Sequence, residues 1–124
     1  MPQPQPGQVV LFRFPLTDQS KGKLRPAVLL GHLPGKFDDW LVCMITSQMR
    51  HGVEGFDEIV AEKDDDFRKT GLKTASLIRI GRLAVMSGSR LVGSIGQIDP
   101  KRLQRIRNRL ASWLLERSSQ KSEP

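Results

Sequence analysis

Arg25 and the pair Thr46-Ser47 are the residues whose types and spacing point to chemistry. Arg25 heads a short apolar run, residues 26–30, and Thr46-Ser47 closes the next one, residues 40–45. If those runs are neighbouring strands, a guanidinium and two hydroxyls meet at one end of a sheet. A guanidinium donates two parallel hydrogen bonds to phosphate oxygens and keeps its proton at any physiological pH. Cleaving RNA needs neither a metal nor a protein nucleophile, because the ribose 2′-hydroxyl attacks its own phosphate when held in line. The protein then has to stabilise charge on the phosphorane and move protons at two oxygens. An Arg-Pro or a Thr-Ser pair alone is ordinarily a strand edge or a turn hydroxyl. Their joint occurrence, after the strand-like Gly7-Gln8-Val9-Val10-Leu11, carries the reading.

Competing chemistries lose support from the same sequence. His32 and His51 stand at no spacing that would bind zinc or haem with a second ligand. Asp64-Asp65-Asp66 is read as a solvated acidic patch, since three consecutive carboxylates on a turn point in different directions. The phosphate-binding, dinucleotide-binding and serine-hydrolase glycine motifs are all missing. Cys43, inside the apolar run 41–45, has no second cysteine to pair with and reads as a small buried hydrophobe. No cofactor and no metal are expected.

The elements that must position these residues follow from composition and punctuation. A chain of 124 residues with 38% hydrophobic content suits one domain. Its net charge of +7 favours a polyanionic partner, nucleic acid or an acidic protein. Residues 8–14 predict a first strand ended by Pro15, and residues 17–24, polar and twice basic, predict a mobile loop. Further strands are expected at 26–30, 40–45, 58–62, 76–80 and 83–86, the last two around Gly81, with 91–97 extended. Asp99 as a cap, Pro100 at the first helical position, and Leu103, Ile106, Leu110, Trp113 and Leu114 on one face predict a helix over 100–117. Its other face carries Lys101, Arg102, Arg105, Arg107 and Arg109, read chiefly as a solvated back. A helical turn is expected around 64–68, and no apolar run approaches the roughly 20 residues of a membrane span.

Taken together, the opening strand with Phe14-Pro15, the loop with Lys21 and Lys23, Arg25-Pro26-Ala27, the Thr46-Ser47 strand end and the segment Gly71-Leu72-Lys73-Thr74-Ala75-Ser76-Leu77-Ile78-Arg79 resemble the MazF/PemK family of toxin endoribonucleases. The resemblance implies a mainly β fold with α: an SH3-like curled small β-barrel of five to six strands plus a C-terminal amphipathic helix. It spans residues 7–117, between disordered tails at 1–6 and 118–124. It also implies a cytoplasmic homodimer that cleaves single-stranded RNA without metal, leaving a 2′,3′-cyclic phosphate, and an acidic antitoxin protein as partner. The implied catalytic residues are Arg25, Thr46 and Arg79, with Lys21, Lys23, Ser47, Gln48, Lys73 and Ser76 contacting RNA. Two positions depart from the pattern. Gly81 stands where some members carry a carboxylate, and the first loop lacks their histidine, which leaves water, Glu58 or Asp57 as the expected proton carriers. The alternative reading is a non-catalytic module that keeps the barrel and binds nucleic acid or antitoxin.

Overall fold

The computed structural model describes residues 3–16 and 19–116, with side chains described at 3–13 and 23–116. Six strands form one antiparallel sheet in the order β4-β5-β3-β2-β1-β6. They are β1 (Gln8–Leu16), β2 (Gln19–His32), β3 (Asp39–Thr46), β4 (Glu58–Val60), β5 (Ser76–Ser87) and β6 (Leu91–Gln97). The sheet curls like a barrel without closing. Two helices complete the domain, the short α1 (Phe67–Thr70) and the C-terminal α2 (Pro100–Leu115).

Both faces of the curl are apolar. On one, Val9, Val28, Leu30, Cys43, Ile45, Ile78 and Ile80 meet Ile106 and Leu110 of α2. On the other, Val10, Phe12, Ala27, Leu29, Trp40 and Val42 bury one another inside the curl. Strands covered on both faces read as continuous apolar runs, which is why 26–30 and 40–45 carry no alternation. Cys43 lies wholly inside, and burial, with the charge of Asp57 adding to it, pushes its thiol up to about 12.

Three expectations are corrected. Pro15 does not end β1, which runs on to Leu16 past a pairing irregularity between Phe14 and Leu16. A bulge is where a residue without an N–H is tolerated. Residues 19–24 are not a loop but the first arm of β2, pairing Gln19 with Leu16 and Lys23 with Phe14. Gln19-Ser20-Lys21-Gly22-Lys23 gives no apolar alternation that would mark a strand in the sequence. The runs at 76–80 and 83–86 are one strand, in which Met44 faces Arg79 while the preceding Cys43 faces Leu83, so residues 80–82 bulge out of the ladder. The Ile80 amide in that bulge donates to Asp57 Oδ1 at 2.9 Å.

The helix forms as expected, with the Asp99 carboxylate accepting from the Lys101 amide and Pro100 in the first turn. Its apolar stripe buries Ile106 and Leu110, while Trp113 and Leu114 are 56% and 64% exposed. The basic face is not a solvated back. Arg102 is buried and donates to Glu58, Asp64 and Asp66 at 2.7–3.0 Å. Arg105 and Arg109 also reach Glu58, at 2.6 and 3.0 Å. Arg107 donates to the Leu30 carbonyl, at the irregularity where β2 shifts register against β3. The triple aspartate is likewise no solvated patch, since Asp64 and Asp66 grip Arg102 and Asp66 also accepts from the Asp99 amide. This cluster ties the segment before α1 to β4 and α2.

Candidate active site

Register decides what shares the inner face. Ala27 pairs with Met44, and Met44 pairs with Arg79, so the three side chains point the same way. Arg25 lies two residues before Ala27, and Thr46 two after Met44. All therefore project from the face opposite α2. Arg25, Thr46 and Arg79 line one open groove of about 490 Å3, together with Ser47, Gln48, Lys73 and Ser76. Of the expected residues, Lys23 is exposed on β2 but does not line the groove, and the side chain of Lys21 lies outside those described.

The groove's wall beyond β5 is residues 72–76, placed there by α1. Gly71 ends that helix at φ +76°, and a Cβ on it would collide with the Ile95 carbonyl of β6, so only glycine allows the close turn. The Ser76 hydroxyl is 4% exposed and donates to the Thr74 carbonyl at 2.9 Å, so it shapes the wall rather than presenting a donor. Thr46 differs. Its Oγ1 accepts from the Gln48 amide at 3.0 Å, which fixes the strand end and leaves the hydroxyl proton free to donate outward.

Charge among the groove's described lining residues is of one sign. Arg25, Lys73, Arg79 and Arg82 line it, and none of the described lining residues is Asp or Glu. Among the described residues none pairs with these arginines, and Arg79 Nε is a buried donor left without a partner. A buried N–H with nothing to bond costs stability unless a ligand supplies the acceptor. Among the described residues no three His, Cys, Asp or Glu side chains come together to hold a metal ion. The donors at hand are guanidiniums, hydroxyls, an ammonium and one imidazole, which suit a phosphodiester.

Glu58 and Asp57 do not reach this groove. Glu58 is 5% exposed beneath three arginines, and Asp57 accepts from the Val53 and Ile80 amides. Both hold the fold, which corrects their expected part in proton transfer. Sequence reasoning also missed His51 and Arg82 as lining residues. Arg82 arrives through the bulge in β5, which spacing does not reveal. His51 follows Ser47 by four residues, and that closeness was the available signal.

A curled antiparallel sheet with a cation-lined groove on the face away from its helix defines a small β protein built to receive a polyanion. The chain matches the PemK-like, MazF-like toxin family of type II toxin-antitoxin systems over residues 5–114. It belongs to that family. Solved structures of the same fold include a chain of MazE-MazF from Deinococcus radiodurans, at 21% identity and a TM-score of 0.64, covering 90% of this chain and 95% of that one. The Mycobacterium tuberculosis toxin MazF-mt6 aligns at 16% identity and a TM-score of 0.60, over 89% of this chain and 99% of that one. MazF of D. radiodurans gives 19% and 0.59, over 90% and 96%. No curated protein matches the chain.

Proposed function

We propose that this protein is a toxin endoribonuclease that cleaves single-stranded RNA by attack of the ribose 2′-hydroxyl, without metal. The observation that carries the reading is the groove in which Arg25, Thr46 and Arg79 converge. Arg25 and Arg79 stabilise the phosphorane, the buried Nε of Arg79 gains the acceptor it lacks, and the Thr46 hydroxyl holds a non-bridging oxygen. Lys73, Ser47 and Gln48 line the path of flanking nucleotides. The family resemblance implies that the protein works as a cytoplasmic homodimer. Its partner is an antitoxin, as in the MazE-MazF structure of D. radiodurans, and the family resemblance implies that this antitoxin is acidic and covers the groove with an extended segment.

The test is incubation of purified protein with long single-stranded RNA in excess chelator. Wild type cleaves, leaving 2′,3′-cyclic ends. Arg25→Ala abolishes cleavage without loss of fold, and Thr46→Ala lowers it by about 10²-fold, as for loss of one donor to a developing oxyanion. Perfect duplex is spared, because A-form geometry holds the 2′-hydroxyl away from in-line attack. Cleavage that vanishes in chelator, or an Arg25→Ala variant as active as wild type, overturns the reading. Gly81, standing where some members of the family carry a carboxylate, favours the second reading, a binding module without catalysis. Well-folded wild type that binds RNA and never cuts it would establish that.

A further inference from the structure

Transesterification by the 2′-hydroxyl requires a group that is unprotonated near neutral pH and within the groove. Arg25, Lys73, Arg79 and Arg82 hold their protons there, and hydroxyls and amides are too weakly basic. Among the described lining residues one ionisable side chain remains, and it is the side-chain type that changes charge between about pH 5 and 8. We infer that His51 is the general base of the cleavage, a role that rests on the ribonuclease reading above.

The local structure suits the task. His51 ends a 3-10 turn, Met49–His51, closed by donation of the His51 amide to Gln48 and of the Gly52 amide to Met49, each at 3.1 Å. A Cβ on Gly52 would press on Leu77 at 3.2 Å, so the turn packs closely against β5. The imidazole is thus carried on a short anchored turn directly after the Thr46 strand end. It makes no hydrogen bond to any described residue and is exposed to the groove. His32, by contrast, is bonded to Asp38 at 3.0 Å and does not line the groove. The charged groups around His51 are Arg25 from β2, Arg79 and Arg82 from β5, Lys73 from the segment after α1, and Arg50 on its own turn. The carboxylates that follow, Glu54 and Asp57, lie outside the groove, and Asp57 is held by backbone amides. Among the described residues no carboxylate lines the groove beside the imidazole.

In the step, a ring nitrogen of neutral His51 takes the 2′-hydroxyl proton as the O2′–P bond forms. The P–O5′ bond breaks, and the leaving 5′-oxygen takes a proton from solvent. The products are a 2′,3′-cyclic phosphate and a 5′-hydroxyl, with the histidine proton then released to the hydroxide formed.

The experiment measures single-turnover cleavage of an RNA with one scissile site against pH, for wild type, His51→Ala, His51→Gln and Arg25→Ala. Binding of the same RNA carrying a 2′-deoxy nucleotide at that site is measured in parallel. Wild type should show a limb rising with pH through the histidine range. Both His51 variants should cleave about 10²- to 10⁴-fold more slowly, lose that limb, and bind the 2′-deoxy RNA as tightly as wild type. Added imidazole should restore part of the rate to His51→Ala. His51 variants that cut at the wild-type rate with the limb intact would overturn the assignment and leave the ribonuclease reading standing. So would a rate loss matched by lost affinity and unmoved by imidazole. Wild type that cuts nothing, or Arg25→Ala that cuts like wild type, removes the ribonuclease reading, and this assignment with it.

Discussion

The two faces of one sheet use the same side chain in opposite ways. Against α2, Arg102, Arg105 and Arg109 are satisfied by Glu58, Asp64, Asp66 and backbone carbonyls, and Arg107 by Leu30. Across the groove, Arg25, Arg79 and Arg82 have no partner among the described residues. A guanidinium whose hydrogen bonds are already made holds the fold in place, whereas one left unmet is ready for an external anion. The net charge of +7 counts both kinds alike. Charge therefore indicates the class of partner, and the pairing of each cation indicates where that partner sits.

The largest effect on the fold side should come from Arg102→Leu. Removing the one cation shared by three carboxylates leaves buried charge without compensation, which costs about 3–5 kcal/mol. Urea unfolding should register this loss, while Arg82→Leu, a groove change, should move stability by less than about 0.5 kcal/mol. Equal stabilities for the two variants would break the contrast between the faces.

The same cluster should set the response to acid. The Ala61 amide, joined by Arg102, holds the Asp64 carboxyl below the usual carboxylate range, and the Arg102 guanidinium does so for Asp66, helped by the Asp99 amide. Arg102 in turn is held further toward its charged form, chiefly by Asp66. A depressed carboxyl value in the folded state means the unfolded chain binds more protons as pH falls. The stabilisation is then complete above the unfolded value near about 4 and is lost on going below it. Urea midpoints should stay level from about pH 7 to 5 and drop steeply below about 4, and in Arg102→Leu the drop should be shallower. A wild-type midpoint that ignores acid would mean the cluster does not anchor the fold.

Much of the architecture was legible because it rests on local signals. Asp99, Pro100 and the apolar stripe mark α2, and runs rich in Val, Ile and Leu bounded by Gly and Pro mark the strands. The meeting of Arg25 and Thr46 was legible too, since consecutive antiparallel strands place the start of one beside the end of the next. What depended on distant partners was not. Nothing in residues 101–109 says that four arginines will find carboxylates and a carbonyl some 36 to 77 positions away. The bulge at 80–82, which carries Arg82 into the groove and consumes Asp57, is marked in the sequence only by Gly81, which reads equally as a break between two strands. His51 was passed over because its lack of metal spacing was tested and its nearness to Thr46 was not.

The smallest expected effect bears most directly on the contrast, because it compares two exposed arginines. Arg105 is half-exposed on α2 yet bound to Glu58, whereas Arg82 is exposed on the groove and has no partner among the described residues. Each phosphate met by a cation on single-stranded RNA releases condensed counterion and adds about 0.7 to the slope of log affinity against log salt. Binding of an uncleavable 2′-deoxy oligonucleotide, titrated over a range of salt, should therefore show a slope lower by about 0.7 in Arg82→Gln and unchanged in Arg105→Gln. The loss of net charge is the same in both variants, so a general attraction of the basic surface would lower both slopes equally. That result would mean RNA senses the summed charge of the protein and not the unpaired cations of the groove. A decrease confined to Arg105→Gln would move the RNA path to the helix face.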